Sequence, residues 1–140
     1  MAVLGACSQE SGTSPAPLSI LGLWNQGANL RETAKNQTHI HAGYFSFTEE
    51  GDGFAGRGQQ SGFCRGANGD YTGPFATGTS YAIADGVQEG DRVTFRDELC
   101  TYEGTLSTDD AHIAGTARCT YTDGGASFVW TGDWLANREP

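Results

Sequence analysis

The sequence has 140 residues, of which 17 are acidic and 8 basic, so its formal net charge is −9. This length suits one domain with a real hydrophobic core. The acidic balance argues against a nucleic-acid partner, because binding nucleic acid depends on cations that neutralise phosphates. With 21 glycines and 11% aromatic residues, the composition favours short strands joined by tight turns.

The first seven residues, MAVLGAC, end in a pattern that resembles the bacterial lipobox. There, small residues precede a cysteine that is lipidated and becomes the mature N-terminus, here Cys7. The basic start and most of the apolar stretch are missing, so residues 1–7 are interpreted as a truncated signal remnant. Residues 8–18 are small, polar and proline-bearing, which is typical of a flexible linker.

These features predict a protein of the bacterial cell envelope that contacts the membrane only through a lipid anchor at Cys7. Ser8 follows the cysteine, where an aspartate would favour retention. In a host with two membranes we therefore expect the protein at the outer membrane or facing the periplasm.

From Leu18 onward apolar and polar residues alternate, which predicts one all-β domain over residues 19–138. The first predicted hairpin contains residues 51–56, GDGFAG, which also fit the G-x-G-x-x-G pattern of dinucleotide-binding loops. That pattern requires a helix after its glycines, and the following RGQQSG has no apolar helical stripe. A four-residue turn at 49–52 would instead pair Phe47 with Phe54, and Phe45 with Gly56, on one face.

A second hairpin is predicted around residues 99–121. A two-residue turn at Asp109-Asp110 aligns Leu106 with Ile113, and it also places Cys100 directly opposite Cys119. Opposed cysteines can form a disulfide in an oxidising compartment, which agrees with export. Cys64 is then left as a free thiol or as a competing partner for one of the two.

Further strands are predicted at 21–31, 54–63, 79–87, 92–97 and 127–136. Consecutive antiparallel strands at a spacing near ten residues indicate an up-and-down β-barrel of about eight strands.

Within this pattern, Gly22-Leu23-Trp24 resembles the G-x-W signature of lipocalins and related calycin barrels. In those proteins the tryptophan lies at the barrel floor, and an arginine near the C-terminus packs across it. The resemblance implies a cation–π stack between Trp24 and Arg138. Over residues 20–138, the turns and glycines are also similar to those of small uncharacterised bacterial lipoproteins with a calycin-like barrel, either lipocalin-like or avidin-like.

His39-Ile40-His41 is the sharpest candidate for chemistry. Histidines at i and i+2 of a strand project to the same face and can hold a metal. The alternative function is therefore a metal-dependent enzyme or a metal-binding protein that uses His39 and His41. We expect instead an ordinary pair of polar residues near a strand end, and no cofactor.

The remaining candidates are aromatic residues that would line the barrel interior. Glycines share the inner faces with large rings, which predicts a modest apolar pocket near one open end, with Trp130 or Tyr102 in its wall. The expected function is a non-enzymatic, monomeric barrel that binds a small apolar or aromatic ligand, or an envelope protein. The candidate ligand-binding residues are Tyr102, Trp130, Phe45 and Phe128.

Overall fold

The computed structural model describes residues 18–32, 37–66, 69–71, 80–123 and 125–139. These residues form nine strands: β1 (Gly22–Glu32), β2 (Gln37–Glu50), β3 (Gly53–Gly66), β4 (Gly69–Tyr71), β5 (Ser80–Glu89), β6 (Arg92–Arg96), β7 (Cys100–Leu106), β8 (His112–Asp123) and β9 (Ala126–Arg138). No helix in this part of the chain is long and apolar enough to cross a membrane. Cys7 and residues 8–17 of the linker lie outside the described residues, so the lipid anchor stays a prediction.

Eight of the strands close into an antiparallel barrel, which confirms the predicted fold class. β1 pairs with both β2 and β9, and β2 continues through β3 and β5 around to β9. The short β4 is an additional strand, paired with β3. This architecture is consistent with a calycin-like fold.

Alternation along each strand decides which side chains enter the core. In β7, Cys100, Tyr102, Gly104 and Leu106 are buried while the residues between them are exposed. We call the barrel end that carries the turns at 51–52, 90–91 and 108–111 the lower end, and the end that carries Cys100 the upper end.

The β7–β8 register is the predicted one. Leu106 lies opposite Ile113, and Cys100 lies opposite Cys119. These two cysteines form a disulfide with Cα atoms 3.9 Å apart. Cys64 is therefore outside the bridge, and its side chain lies outside the described part of the structure.

The turn of this hairpin is longer than predicted. The Ser107 N–H donates to the His112 carbonyl at 2.8 Å, and the Asp110 N–H donates to the Ser107 carbonyl at 3.0 Å. Residues 108–111 thus form the loop, rather than Asp109-Asp110 alone. The strand pairing is unchanged, because the loop gains one residue from each strand.

The predicted β2–β3 register is wrong by two residues. Glu50 pairs with Gly53, which places Phe47 opposite Gly56 instead of Phe54. The turn is Gly51-Asp52, and Gly51 has a φ of 57°, as in two-residue turns that begin with glycine. A shift of two residues keeps every apolar side chain on the same face, so periodicity alone could not exclude the wrong register.

Candidate functional site

The lower end of the barrel is closed by residues 18–21, which precede β1. Ile20 is 1% exposed, and the Trp24 indole N–H donates to its carbonyl at 2.8 Å. The Gln88 amide accepts from the Ile20 N–H at 3.0 Å and donates to the Leu18 carbonyl at 2.8 Å. Trp24 therefore lies at the barrel floor, above a plug that the chain itself provides.

Arg138 holds this plug in place. Its guanidinium carbon lies 4.3 Å from the centroid of the Trp24 ring, the stack that the calycin resemblance implies. The same group donates to the carbonyls of Ser19 at 2.5 Å and Leu21 at 2.6 Å, and it pairs with the Asp110 carboxylate. Sequence reasoning assigned Asp110 only to a turn and missed this contact.

The glycine of the G-x-W pattern has a local cause. Gly22 has a φ of 118°, a conformation that side chains rarely allow, and a Cβ at this position would lie 2.8 Å from Nη1 of Arg138. Glycine is therefore needed at this position of the pattern, because the arginine side chain approaches the backbone closely there.

Aromatic rings fill the middle of the barrel. Phe45 is 0% exposed and Tyr102 is 4% exposed, and their ring centroids are 5.6 Å apart. Tyr102 also stacks on Phe95 at 4.6 Å. A Cβ on Gly104 would lie 3.0 Å from the Trp134 ring. At this level the glycines interlock with the rings instead of leaving a gap.

The Tyr102 hydroxyl anchors the loop between β6 and β7. It donates to the Asp97 carboxylate at 2.8 Å, and the other oxygen of that carboxylate accepts from the N–H groups of Leu99 and Cys100, each at 2.8 Å. Burial, together with the neighbouring Tyr81 and Asp97, raises the pKa of Tyr102 well above its ordinary value. Its phenol is thus neutral and structural.

The upper end of the barrel brings together a different set of side chains. His39 and Trp130 are each 2% exposed, and their rings meet edge to face with centroids 6.4 Å apart. Cys119 of the disulfide lies opposite Trp130, and Glu32 is also buried. Burial lowers the pKa of His39 to about 4, because a charged imidazole would lose its hydration. A neutral imidazole offers one hydrogen-bond donor and one acceptor.

Two predicted site residues are described only by their backbone. His41 lies opposite Ala28, and Phe128 lies opposite Tyr121. Their side chains fall outside the described part of the structure, so both assignments stay predictions. Among the described residues, no three His, Cys, Asp or Glu side chains are grouped closely enough to hold a metal.

A buried glutamine is the interior residue that sequence reasoning missed. Gln26 is 4% exposed, with Gly43 and Ala136 as its strand neighbours. Both polar atoms of its amide lack a hydrogen-bond partner among the described residues. An unpaired buried amide costs about 1–3 kcal/mol, and such groups call for an explanation such as a bound molecule or stored strain. Its place in the inward series of β1, between Trp24 and Ala28, was the available signal.

Two depressions in the described part of the chain lie on its outer surface. A groove of about 670 Å³ crosses the outer face of β6–β9. Thr94, Arg118 and Thr131 are among the residues that line it. A second depression of about 500 Å³ lies beside the plug, near Gln88 and Phe54.

No protein-family model matches the sequence, and no curated protein matches it.

Proposed function

We propose that the protein is a non-enzymatic lipoprotein of the bacterial cell envelope, anchored at Cys7, that binds a small, mostly apolar aromatic ligand in the upper end of its barrel. The observation that carries the ligand class is the packing of a neutral His39 against Trp130. This pair gives the upper end an aromatic, uncharged wall, which suits an aromatic and mostly apolar ligand.

The lower end and the middle of the described interior are already occupied by the protein's own residues, so we assign the ligand to the upper end. The lower end is plugged by residues 18–21, and the middle is occupied by rings such as Phe45 and Phe95. Gln26 lies on the same strand pair as His39, two inward positions further down. A ligand that reached this level could satisfy its unpaired amide.

Binding fits the described side chains better than catalysis does. The Tyr102 phenol is held neutral by burial, and acidic residues such as Glu49 and Asp109 are exposed near turns. These carboxylates lack the contrasting environments that separate an acid from a base.

Ligand binding is tested by tryptophan fluorescence. Titration of the purified chain with small aromatic amides and carboxylic acids should give a saturable change, because Trp130 forms part of the wall. His39→Leu should weaken binding at least tenfold, while His112→Leu, at an exposed position, should leave it unchanged. The absence of any saturable change across these compounds would reject the ligand carrier and favour an envelope-protein partner.

The metal alternative predicts a different result. Elemental analysis would find stoichiometric metal in the purified protein, and the His39→Ala/His41→Ala double variant would lose it. Native mass spectrometry of protein isolated from its own envelope would separate a bound small molecule from a bound polypeptide.

The anchor is tested independently of the barrel. With a complete signal sequence supplied, the chain should partition into detergent and carry acyl mass on Cys7. Cys7→Ser should move it to the aqueous phase, while Cys64→Ser should not. Unchanged membrane association of Cys7→Ser would contradict the lipoprotein assignment.

A further inference from the structure

The outer surface of β1, β2 and β9 carries an extended face without charge. Ten neighbouring outward positions have no charged side chain, although the chain as a whole has a net charge of −9. Asp133, opposite Asn29, marks the upper edge of this surface. We call it the charge-free face, and it comprises the alternate residues of β1 from Leu23 to Asn29, those of β2 from Ile40 to Ser46, and Leu135 and Asn137 of β9.

A line of hydrogen-bonding side chains crosses the lower part of the charge-free face. The register places Tyr44 beside Asn25, Asn25 beside Asn137, and Asn137 beside His112. The Asn25 amide donates to the Glu139 carboxylate, and Nδ1 of His112 lies 2.6 Å from Oδ1 of Asn137. Tyr44 is 49% exposed, and its hydroxyl makes no hydrogen bond within the described residues.

A row of uncharged, mostly apolar residues runs parallel to this line. The next row upward places Ala42, Gly27 and Leu135 side by side. Leu135 is 53% exposed. Because Gly27 has no side chain and Ala42 has only a methyl group, Leu135 is the large apolar side chain of this row.

We infer that the charge-free face binds a linear, uncharged polysaccharide. Neighbouring strands are ~4.8 Å apart, which is comparable to the length of one pyranose ring, so successive sugars can meet successive side chains of the line. Amide groups both donate and accept, as sugar hydroxyls require. The Tyr44 ring and Leu135 offer apolar surface to the C–H faces of the sugars.

Charge supports an uncharged ligand over two other occupants. A net charge of −9 repels an anionic polymer, and it also repels a second copy of the same chain. An uncharged polysaccharide meets neither penalty, and the carboxylate that borders the line, Glu139, already accepts a hydrogen bond from Asn25.

Size argues against a stable protein partner on this face. Three strands by four outward rows measure roughly 10 Å by 20 Å, whereas a standard protein interface buries about 800 Å² on each partner. A narrow line of polar groups beside a row of apolar residues fits an extended polysaccharide chain better than it fits a folded protein.

The test is titration of the full chain with cellohexaose and chitohexaose, followed by isotope-edited NMR of the backbone amides. We expect saturable shifts at β1, β2 and β9. Tyr44→Ala should weaken binding at least tenfold, Tyr44→Phe, which keeps the ring but loses the hydroxyl, should weaken it less, and Val87→Ala, at another exposed apolar position, should leave it unchanged. The amide spectra report whether each variant is folded.

Three results would overturn the inference: no saturable shifts with either hexasaccharide, equal binding by Tyr44→Ala and the unmodified chain, or tighter binding to polygalacturonate than to the uncharged chains. A photo-crosslinker at Leu135 that captured a polypeptide in the envelope, and no glycan, would also overturn it in favour of a protein partner. Neither the anchor at Cys7 nor the His39 site enters the hexasaccharide titration, so its failure would leave the proposed function untouched.

Discussion

Replacing Arg138 with methionine should lower the free energy of unfolding by about 3 kcal/mol. Methionine keeps an apolar stem against Trp24 but removes the donors that hold the Ser19 and Leu21 carbonyls. It also leaves the Asp110 carboxylate without its cation. Denaturant unfolding measures the loss, and exchange of the Ile20 amide hydrogen reports whether the plug opens.

Arg92→Met is the matched control, because Arg92 is an exposed arginine next to the lower-end turn at 90–91. Its effect should stay within about 0.5 kcal/mol. If Arg138→Met were as stable as Arg92→Met, the guanidinium network would not be what closes the barrel.

The stability of the fold should fall as the pH drops from 6.5 towards 4, and His39 should account for about 3 kcal/mol of this loss. Burial lowers the pKa of His39 from an ordinary 6.5 to about 4. Between these values the unfolded chain binds a proton that the folded chain excludes. The contribution is therefore complete above pH 6.5 and is lost as the pH falls.

His39→Gln removes the titrating group and should flatten this part of the pH profile, whereas His112→Gln should not. The difference between each variant and the unmodified chain isolates the histidine from the carboxylates that titrate lower. Equal slopes for the His39→Gln variant and the unmodified chain between pH 6.5 and 4 would show that His39 is accessible to protons in the folded state.

The fold was predictable because local signals agreed with each other. In the β7–β8 hairpin, one register aligned the apolar face and also opposed Cys100 and Cys119, so two independent constraints selected it. In the β2–β3 hairpin only the apolar alternation was available. Two registers satisfied it equally, and the turn at Gly51 decided between them.

The site was less predictable because it depends on contacts between residues distant in sequence. Trp24 and Arg138 could be paired only through the resemblance to calycin barrels. Asp110 showed the local signal of a turn residue, and no neighbouring residue in the sequence indicated that it pairs with an arginine. Gln26 and His39 lie on inward positions, but whether such positions are packed, paired or open is decided by the strands across the barrel.

The sequence by itself determined the class of the fold, the hairpin that carries the disulfide and the inward or outward side of regular strands such as β7, because these follow from alternation with a period of two residues. Only the tertiary structure decided that rings interlock with glycines such as Gly104, that His39 loses its water beside Trp130, and that uncharged positions on β1, β2 and β9 meet in one face. Closing the barrel places β1 between β2 and β9. These effects arise between strands far apart in the chain, where no local pattern carries the information.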